Sequence, residues 1–234
     1  SPDRYFQFHM PLGEFLDLAK KTGSGCRVVA GPDSYKASPS MYRAAMTNYY
    51  AMGQRDTYLF NFFAARAEQR EYYPFRDDDY ALLRDLKSPV TLWGRPKHYM
   101  SNTWFPGSGV QVKETGKAYK TDIYVGEDLA VCRDENILKS ATLRVVMKGL
   151  QKGDALEVAL NGQPLAMADA KRDGMTIRFE LSRRLPKLGN NQVSVTARKF
   201  ASEMRPTVTL VELLTEFNIA GVSTTAANSR DRRK

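Results

Sequence analysis

At 234 residues, 42% of them hydrophobic, the chain is long enough for one large domain or two ordinary ones. Its apolar runs, such as 58–60 and 62–65, are far shorter than the roughly 20 residues that a membrane-spanning helix needs, so no membrane span is predicted. The net charge is +9, but the tail 230–234 holds +3 of it, and the remainder forms no basic stripe beside aromatic residues. We therefore predict no nucleic-acid partner.

The first 90 residues alternate helices with short apolar strands. The predicted helices are 11–22, 39–52 and 77–86, and the predicted strands are 27–30 and 57–62. This order is typical of right-handed βα units with parallel strands. Two parallel strands do not form a stable sheet alone, so we expect the rest of a parallel α/β barrel of the TIM type to lie outside this sequence. The sequence also lacks an initiator Met and a leader pattern, which supports the expectation that N-terminal sequence is missing.

Beyond Pro89 the apolar pattern changes to period two, which predicts an antiparallel β-sandwich. Asn161-Gly162 is a strong signal for a tight hairpin. The predicted strands are 110–114, 119–125, 141–148, 155–160, 175–181, 192–197 and 207–217. The predicted domains are 1–90 (incomplete barrel), 91–104 (linker), 105–220 (sandwich) and 221–234 (disordered basic tail).

The reactive residue types form no metal or catalytic pattern. Cys26 and Cys132 have no second Cys or His at metal-ligand spacing, so neither a metal nor another cofactor is predicted. His9 and His98 lack the partners of a catalytic triad, and we expect each to be a hydrogen-bonded structural residue.

Several short motifs resemble the last units of bacterial glycoside hydrolase-like (β/α)8 barrels and the C-terminal β-sandwich that follows them. The similarity extends over most of 11–215, although no motif is a catalytic signature. At 53–56 the chain has GQRD where the family often has GADG. The motifs are PLGEFLDLAK at 11–20, VVAG at 28–31, MYRAA at 41–45, NYYAMG at 48–53, YLFNFF at 58–63, PKHY at 96–99 and LEVALNGQPL at 156–165.

This resemblance implies a secreted or periplasmic protein that processes polysaccharides, with carbohydrate as its partner. It implies that two catalytic carboxylates lie at the mouth of the barrel, upstream of this sequence. This chain would then supply groups that position the substrate, together with an accessory sandwich. The alternative is a carbohydrate-binding or scaffolding protein without catalysis.

The predicted site residues lie at the carboxyl ends of the two parallel strands, where the loops of a barrel form the site: Asp33 and Tyr35 follow the first strand, and Asn61 and Phe63 end the second. Asp33 is either a sugar ligand or part of an ordinary turn, and Asn61 either points into the barrel mouth or bonds to neighbouring backbone. Tyr35 and Phe63 are candidates to stack on a sugar ring, with packing as the alternative. Arg66, Glu68 and Arg70 are expected to be solvated charges near the cleft.

Trp93 and Trp104 flank the predicted linker, and we expect them to pack between the two domains. The sandwich shows no pattern of spaced acidic residues for calcium. We therefore expect it to stabilise the protein without taking part in catalysis.

Overall fold

A computed structural model describes residues 5–6, 8, 12–31, 34–35, 37–59, 81–101 and 109–218, with the backbone alone at 5–6 and 34–35. Among these residues, no helix is both long and apolar enough to cross a bilayer. The α-helices in this part of the chain are α1 (Leu12–Thr22), α2 (Pro39–Ala51), α3 (Leu82–Asp85), α4 (Pro89–Leu92) and α5 (Leu129–Asp134). The strands are β1 (Tyr5–Phe6), β2 (Ser34–Tyr35), β3 (Lys97–Met100), β4 (Val110–Gln111), β5 (Ala118–Val125), β6 (Leu138–Lys148), β7 (Ala155–Leu160), β8 (Gln163–Pro164), β9 (Lys171–Asp173), β10 (Thr176–Glu180), β11 (Gly189–Lys199) and β12 (Thr207–Phe217).

Two antiparallel sheets form a β-sandwich. The larger sheet has the order β3-β12-β6-β10-β9, and β4 also pairs with β12. The smaller sheet has the order β5-β11-β7-β8. A separate two-stranded sheet joins β1 to β2.

Alternating side chains along the long strands form the core between the two sheets. In β6 the buried residues are Ala141, Leu143, Val145 and Met147, and the residues between them are more exposed. The same period of two appears in β7 and β11. This alternation is what one buried face and one solvated face require of a strand.

The sequence predicted most of this sandwich. Predicted strands 155–160 and 207–217 coincide with β7 and β12, and the other five overlap observed strands. Asn161 and Gly162 form the turn between β7 and β8 with φ values of 51° and 78°, as a tight hairpin with both central residues at positive φ requires.

The sandwich begins earlier than the sequence indicated. β3 lies inside the range predicted as a linker, yet it pairs with β12 in register, Leu213 opposite Tyr99 and Thr215 opposite Lys97. All four β3 residues are buried. Because side chains on both faces of this short strand are buried, the sequence shows no alternation of period two there.

The first part of the chain follows the predicted order of helices and extended segments, but no barrel is evident among the described residues. Ala30 and Thr57 form a single parallel bridge, with Ala30 N–H donating to Asp56 O at 3.1 Å and Tyr58 N–H donating to Ala30 O at 2.7 Å. Every pair of named strands is antiparallel. The described residues thus show a β-sandwich preceded by helices and one short parallel contact.

Candidate functional site

The two parallel segments provide the frame for the predicted site. Arg27 pairs with both carboxylate oxygens of Asp56, and its Nε lies 2.6 Å from Oδ2. Buried Gln54 donates to backbone carbonyls of both segments at 2.8 and 2.5 Å. Because the segments run in the same direction, their carboxyl ends, Gly31 and Leu59, lie at the same edge.

Most of the predicted site residues lie outside the described part of the chain. Asp33, Asn61 and Phe63 are in this group, as are the charged residues Arg66, Glu68 and Arg70. For Tyr35 the backbone alone is described, paired with Tyr5. The roles assigned to these residues therefore remain predictions.

A second candidate site is lined by described residues. It is a cavity of about 600 Å³, here called the Trp93 cavity, between the start of α2, the short helices α3 and α4, and the turn that leads to β3. The polar and aromatic residues in its wall are Arg43, Arg84, Asp85, Thr91, Trp93 and Arg95. The cavity falls in the size range of small-molecule sites.

Local sequence signals place Trp93 at this wall. Ser88 caps α4 by accepting from Thr91 N–H at 3.2 Å, while Thr91 Oγ1 accepts from Ser88 N–H at 3.0 Å. Pro89 occupies the first turn, where its missing N–H has no cost. Gly94 has a φ of 67° and turns the chain, so the Trp93 side chain stays 43% exposed.

Asp85 organises the charges in the Trp93 cavity. Arg43 Nε donates to Asp85 Oδ2 at 2.8 Å, and Arg95 Nη2 lies 3.8 Å from Oδ1, which is too long for a hydrogen bond. Thr91 Oγ1 donates to the Asp85 carbonyl at 2.8 Å and so ties α4 to α3. The cavity thus combines a half-exposed indole with hydrogen-bonding groups whose positions are fixed.

A buried ion pair connects the cavity wall to the sandwich. Lys97 Nζ lies 2.9 Å from both carboxylate oxygens of Glu127 and also donates to the carbonyls of Leu92 and Arg95. Burial is the main cause of both pKa changes: it lowers the pKa of Lys97 and raises the pKa of Glu127. The pair fixes the turn after Trp93 against the start of β3.

Helix α2 is also joined directly to the sandwich. Its buried Asn48 donates to the carbonyl of Tyr124 at 3.0 Å and accepts from Gly126 N–H at 2.7 Å. Gly126 approaches the helix so closely that a Cβ there would lie 2.5 Å from the carbonyl oxygen of Thr47. The joint between the helices and the sandwich is therefore formed by polar contacts and close backbone packing.

The sequence predicted that Trp93 packs between the two domains, but the structure does not show this. Trp93 is one of the exposed large side chains and lines the Trp93 cavity instead. Trp104 lies outside the described residues.

A polar cluster lies on the outer face of the larger sheet. His98 Nε2 is 2.9 Å from Glu212 Oε1, and Arg144 Nη1 is 3.0 Å from Glu212 Oε2. His98 is buried and hydrogen-bonded, which agrees with its predicted structural role. Within the described ranges, no group of three or more His, Cys, Asp or Glu side chains is arranged to hold a metal ion.

Little in the sequence indicated the Trp93 cavity. Arg43, Asp85 and Arg95 come from three separate segments, and each is an ordinary surface charge by its local pattern. The one usable signal was the aromatic link that contains Trp93. Only the fold brings these residues to a common wall.

Comparisons with known proteins give little more. No known protein family matches the chain, and no curated protein matches it. Among solved structures, the crystal structure of BuGH86wt in complex with neoagarooctaose matches 53% of this chain and 19% of that chain, at 18% identity and a TM-score of 0.35. The chain thus spans about a fifth of that protein's length, and so low a TM-score does not establish a shared fold.

Proposed function

We propose that the chain is part of a carbohydrate-active, glycoside hydrolase-like protein, in which the Trp93 cavity binds a sugar and the sandwich is an accessory domain. The observation that carries the proposal is the half-exposed Trp93 at a cavity of about 600 Å³ that also contains Arg43, Asp85 and Arg95. An indole offers a broad apolar face to the C–H side of a sugar ring, and charged side chains hydrogen-bond to hydroxyl groups. The motifs that resemble glycoside hydrolase-like barrels support the same substrate class.

Tryptophan fluorescence tests the proposal directly. In a Trp104→Phe variant, Trp93 is the sole tryptophan, because the chain has two. We expect a panel of neutral and acidic oligosaccharides to include ligands that shift its emission, since a stacked sugar removes water from the indole. Isothermal titration gives the affinity of each such ligand.

Two further variants locate the binding. Trp93→Ala should abolish it, whereas Val90→Ala, at an 83% exposed position on the same cavity wall, should leave it unchanged. Binding that survives Trp93→Ala, or no binding by any member of the panel, would contradict the proposal.

The proposal includes a finer fold for the first part of the chain: α1, α2 and the parallel segment that follows each of them belong to βα units of a parallel barrel. Their parallel direction supports this, and so does the exposure of apolar side chains that a complete barrel would cover. Phe15 is 54% exposed, Leu18 56%, Val29 49% and Tyr58 60%. In a longer polypeptide containing this chain, amides 27–30 and 57–59 should exchange more slowly than in the chain alone.

In the proposed protein, the catalytic carboxylates would come from the part of the barrel upstream of this sequence. The protein itself would be located outside the cytoplasm. Asp33, Tyr35, Asn61 and Phe63 remain the proposed substrate-positioning residues. For Asn61→Ala in an active longer polypeptide, kcat/KM should fall by roughly 5-fold to 150-fold, the equivalent of about 1–3 kcal/mol, with little change in Tm. A large loss of stability with full activity would make Asn61 a structural residue.

A further inference from the structure

The charges in the Trp93 cavity are unbalanced. Three guanidinium groups, from Arg43, Arg84 and Arg95, share the wall with the Asp85 carboxylate, which is the one acidic side chain among the described lining residues. Of the three arginines, Arg43 alone makes a hydrogen bond to Asp85. The described wall therefore carries an excess of positive charge.

Two of these guanidinium groups are available to a ligand. Arg95 is 38% exposed, and at 3.8 Å from Asp85 it makes no hydrogen bond to that carboxylate. Arg84 is exposed and has no hydrogen bond or ion pair within the described part of the chain. A guanidinium group presents paired N–H donors that match the two oxygens of a carboxylate.

From this arrangement we infer that the Trp93 cavity selects a sugar that carries a carboxylate, that is, a hexuronic acid unit. Trp93 stacks on the ring, and Arg84 with Arg95 binds the carboxylate. Arg43 remains engaged with Asp85 and holds the wall in place. This inference rests on the proposed carbohydrate function and adds the charge of the ligand to it.

Two methyl glycosides that differ at C6 provide the test. Methyl β-D-glucuronide has a carboxylate where methyl β-D-glucoside has a hydroxymethyl group, and saturation-transfer NMR on the full chain gives both affinities. At low ionic strength we expect the glucuronide to bind at least about tenfold more tightly, since charge-assisted hydrogen bonds are about twice as strong as neutral ones. The preference should shrink in 0.5 M salt because screening weakens exposed ion pairs.

Charge-removing variants assign the preference to the cavity. Arg84→Gln and Arg95→Gln should each reduce the preference towards unity, chiefly by weakening the affinity for the glucuronide. Arg178→Gln is the matched control, because Arg178 is exposed on β10 and is not part of the cavity wall.

The outcomes separate the two proposals. If neither glycoside and no member of the oligosaccharide panel binds, the carbohydrate function itself fails. If both glycosides bind alike, that function stands and the inferred charge selectivity is wrong. A preference that Arg178→Gln removes, and that Arg84→Gln and Arg95→Gln do not, would reflect the overall charge of the protein and would also overturn the inference.

Discussion

Lys97 and Glu127 show what a buried charge requires of its surroundings. Their side chains are 0% and 3% exposed, and Lys97 is surrounded by three groups that accept its hydrogen bonds. We expect Lys97→Met to destabilise the protein by about 3–5 kcal/mol, because it leaves the Glu127 carboxylate buried without a partner. Urea unfolding at pH 8 measures this loss.

The reason for that loss can be tested separately. The Lys97→Met, Glu127→Leu double variant should recover much of the stability, because it removes the orphaned charge. Lys139→Ala is the control: the Lys139–Glu216 pair has side chains 61% and 59% exposed, so its loss should change stability little. A double variant less stable than Lys97→Met would contradict this account.

Protonation of Glu212 should lower the stability of the folded protein as the pH falls. Burial acts to raise its pKa, but the hydrogen bond with His98 and the charges of His98 and Arg144 outweigh it, so the pKa lies below its ordinary value. A carboxyl whose folded-state pKa is depressed stabilises the fold above its unfolded pKa of about 4.3, and that stability is lost as the pH falls through the folded value. The stability difference between the wild type and Glu212→Gln should therefore shrink from pH 6 to pH 3. If urea unfolding gives the same stability difference at every pH in this range, protonation of Glu212 is not coupled to folding.

The two cysteines should react very differently. Burial, with the nearby Glu127 charge, raises the pKa of the Cys132 thiol to about 12, whereas Cys26 is exposed. The thiolate is the reactive form, so iodoacetamide at pH 8 should alkylate Cys26 and leave Cys132 unmodified until the protein unfolds. Mass spectrometry of the native protein would show one adduct, and two adducts would mean that the fold opens around α5.

At the level of elements, the contact between α2 and the sandwich depends on Gly126. A Cβ there would lie 2.5 and 2.6 Å from the carbonyl oxygen and carbon of Thr47, and backbone atoms cannot rotate away. We expect Gly126→Ala to destabilise the protein by about 1–3 kcal/mol and to speed amide exchange in α2. Gly13→Ala is the control, because a Cβ at Gly13 meets nothing within 4 Å and alanine favours the helix. If the two substitutions change stability equally, the contact between α2 and the sandwich does not depend on the close approach at Gly126.

The elements that could be predicted from the sequence are those with a clear local pattern, such as alternating burial or marked helix ends. The long sandwich strands alternate, and α2 is marked by Ser38-Pro39 at its start and by Gly53, with a φ of 89°, just beyond its end. β3 has all four residues buried, and the six-residue helix α5 is marked mainly by its cap, Asp128, which accepts from Ala130 and Val131 N–H. Neither element was predicted, because each is too short for a repeating apolar pattern to be recognised.

The candidate site was less predictable than the elements for the same kind of reason. Asp33 was predicted because it follows the first strand and Asn61 because it lies at the end of the second, and the parallel bridge between Ala30 and Thr57 agrees with the direction predicted for those strands. The Trp93 cavity depends instead on tertiary contacts between α2, α3 and the turn before β3. No local pattern contains that information.

At the level of the whole molecule, the two parts of the chain differ in how completely they satisfy their own backbone and apolar groups. The sandwich pairs its three longest strands, β6, β11 and β12, on both sides. The parallel segments share one bridge, and Phe15 and Leu18 of α1 and Val29 are about half exposed. We therefore expect a fragment covering 97–218 to unfold cooperatively on heating, and a fragment covering 1–90 to show fast amide exchange throughout.

The boundary of the sandwich makes this prediction quantitative. A fragment that starts at residue 105, the predicted domain boundary, lacks β3, so Glu127 loses Lys97 and β12 loses a neighbouring strand. Its Tm should lie well below that of the 97–218 fragment, by roughly 10 °C or more, because each kcal/mol shifts the Tm of a domain slightly above 100 residues by about 4 °C and the loss of β3 with the Lys97 partner costs about 3–5 kcal/mol. Adding Glu127→Leu to the shorter fragment should restore part of that difference, because it removes the buried charge but does not replace the strand. Equal melting temperatures for the two fragments would show that β3 belongs to the helical part of the chain and not to the sandwich.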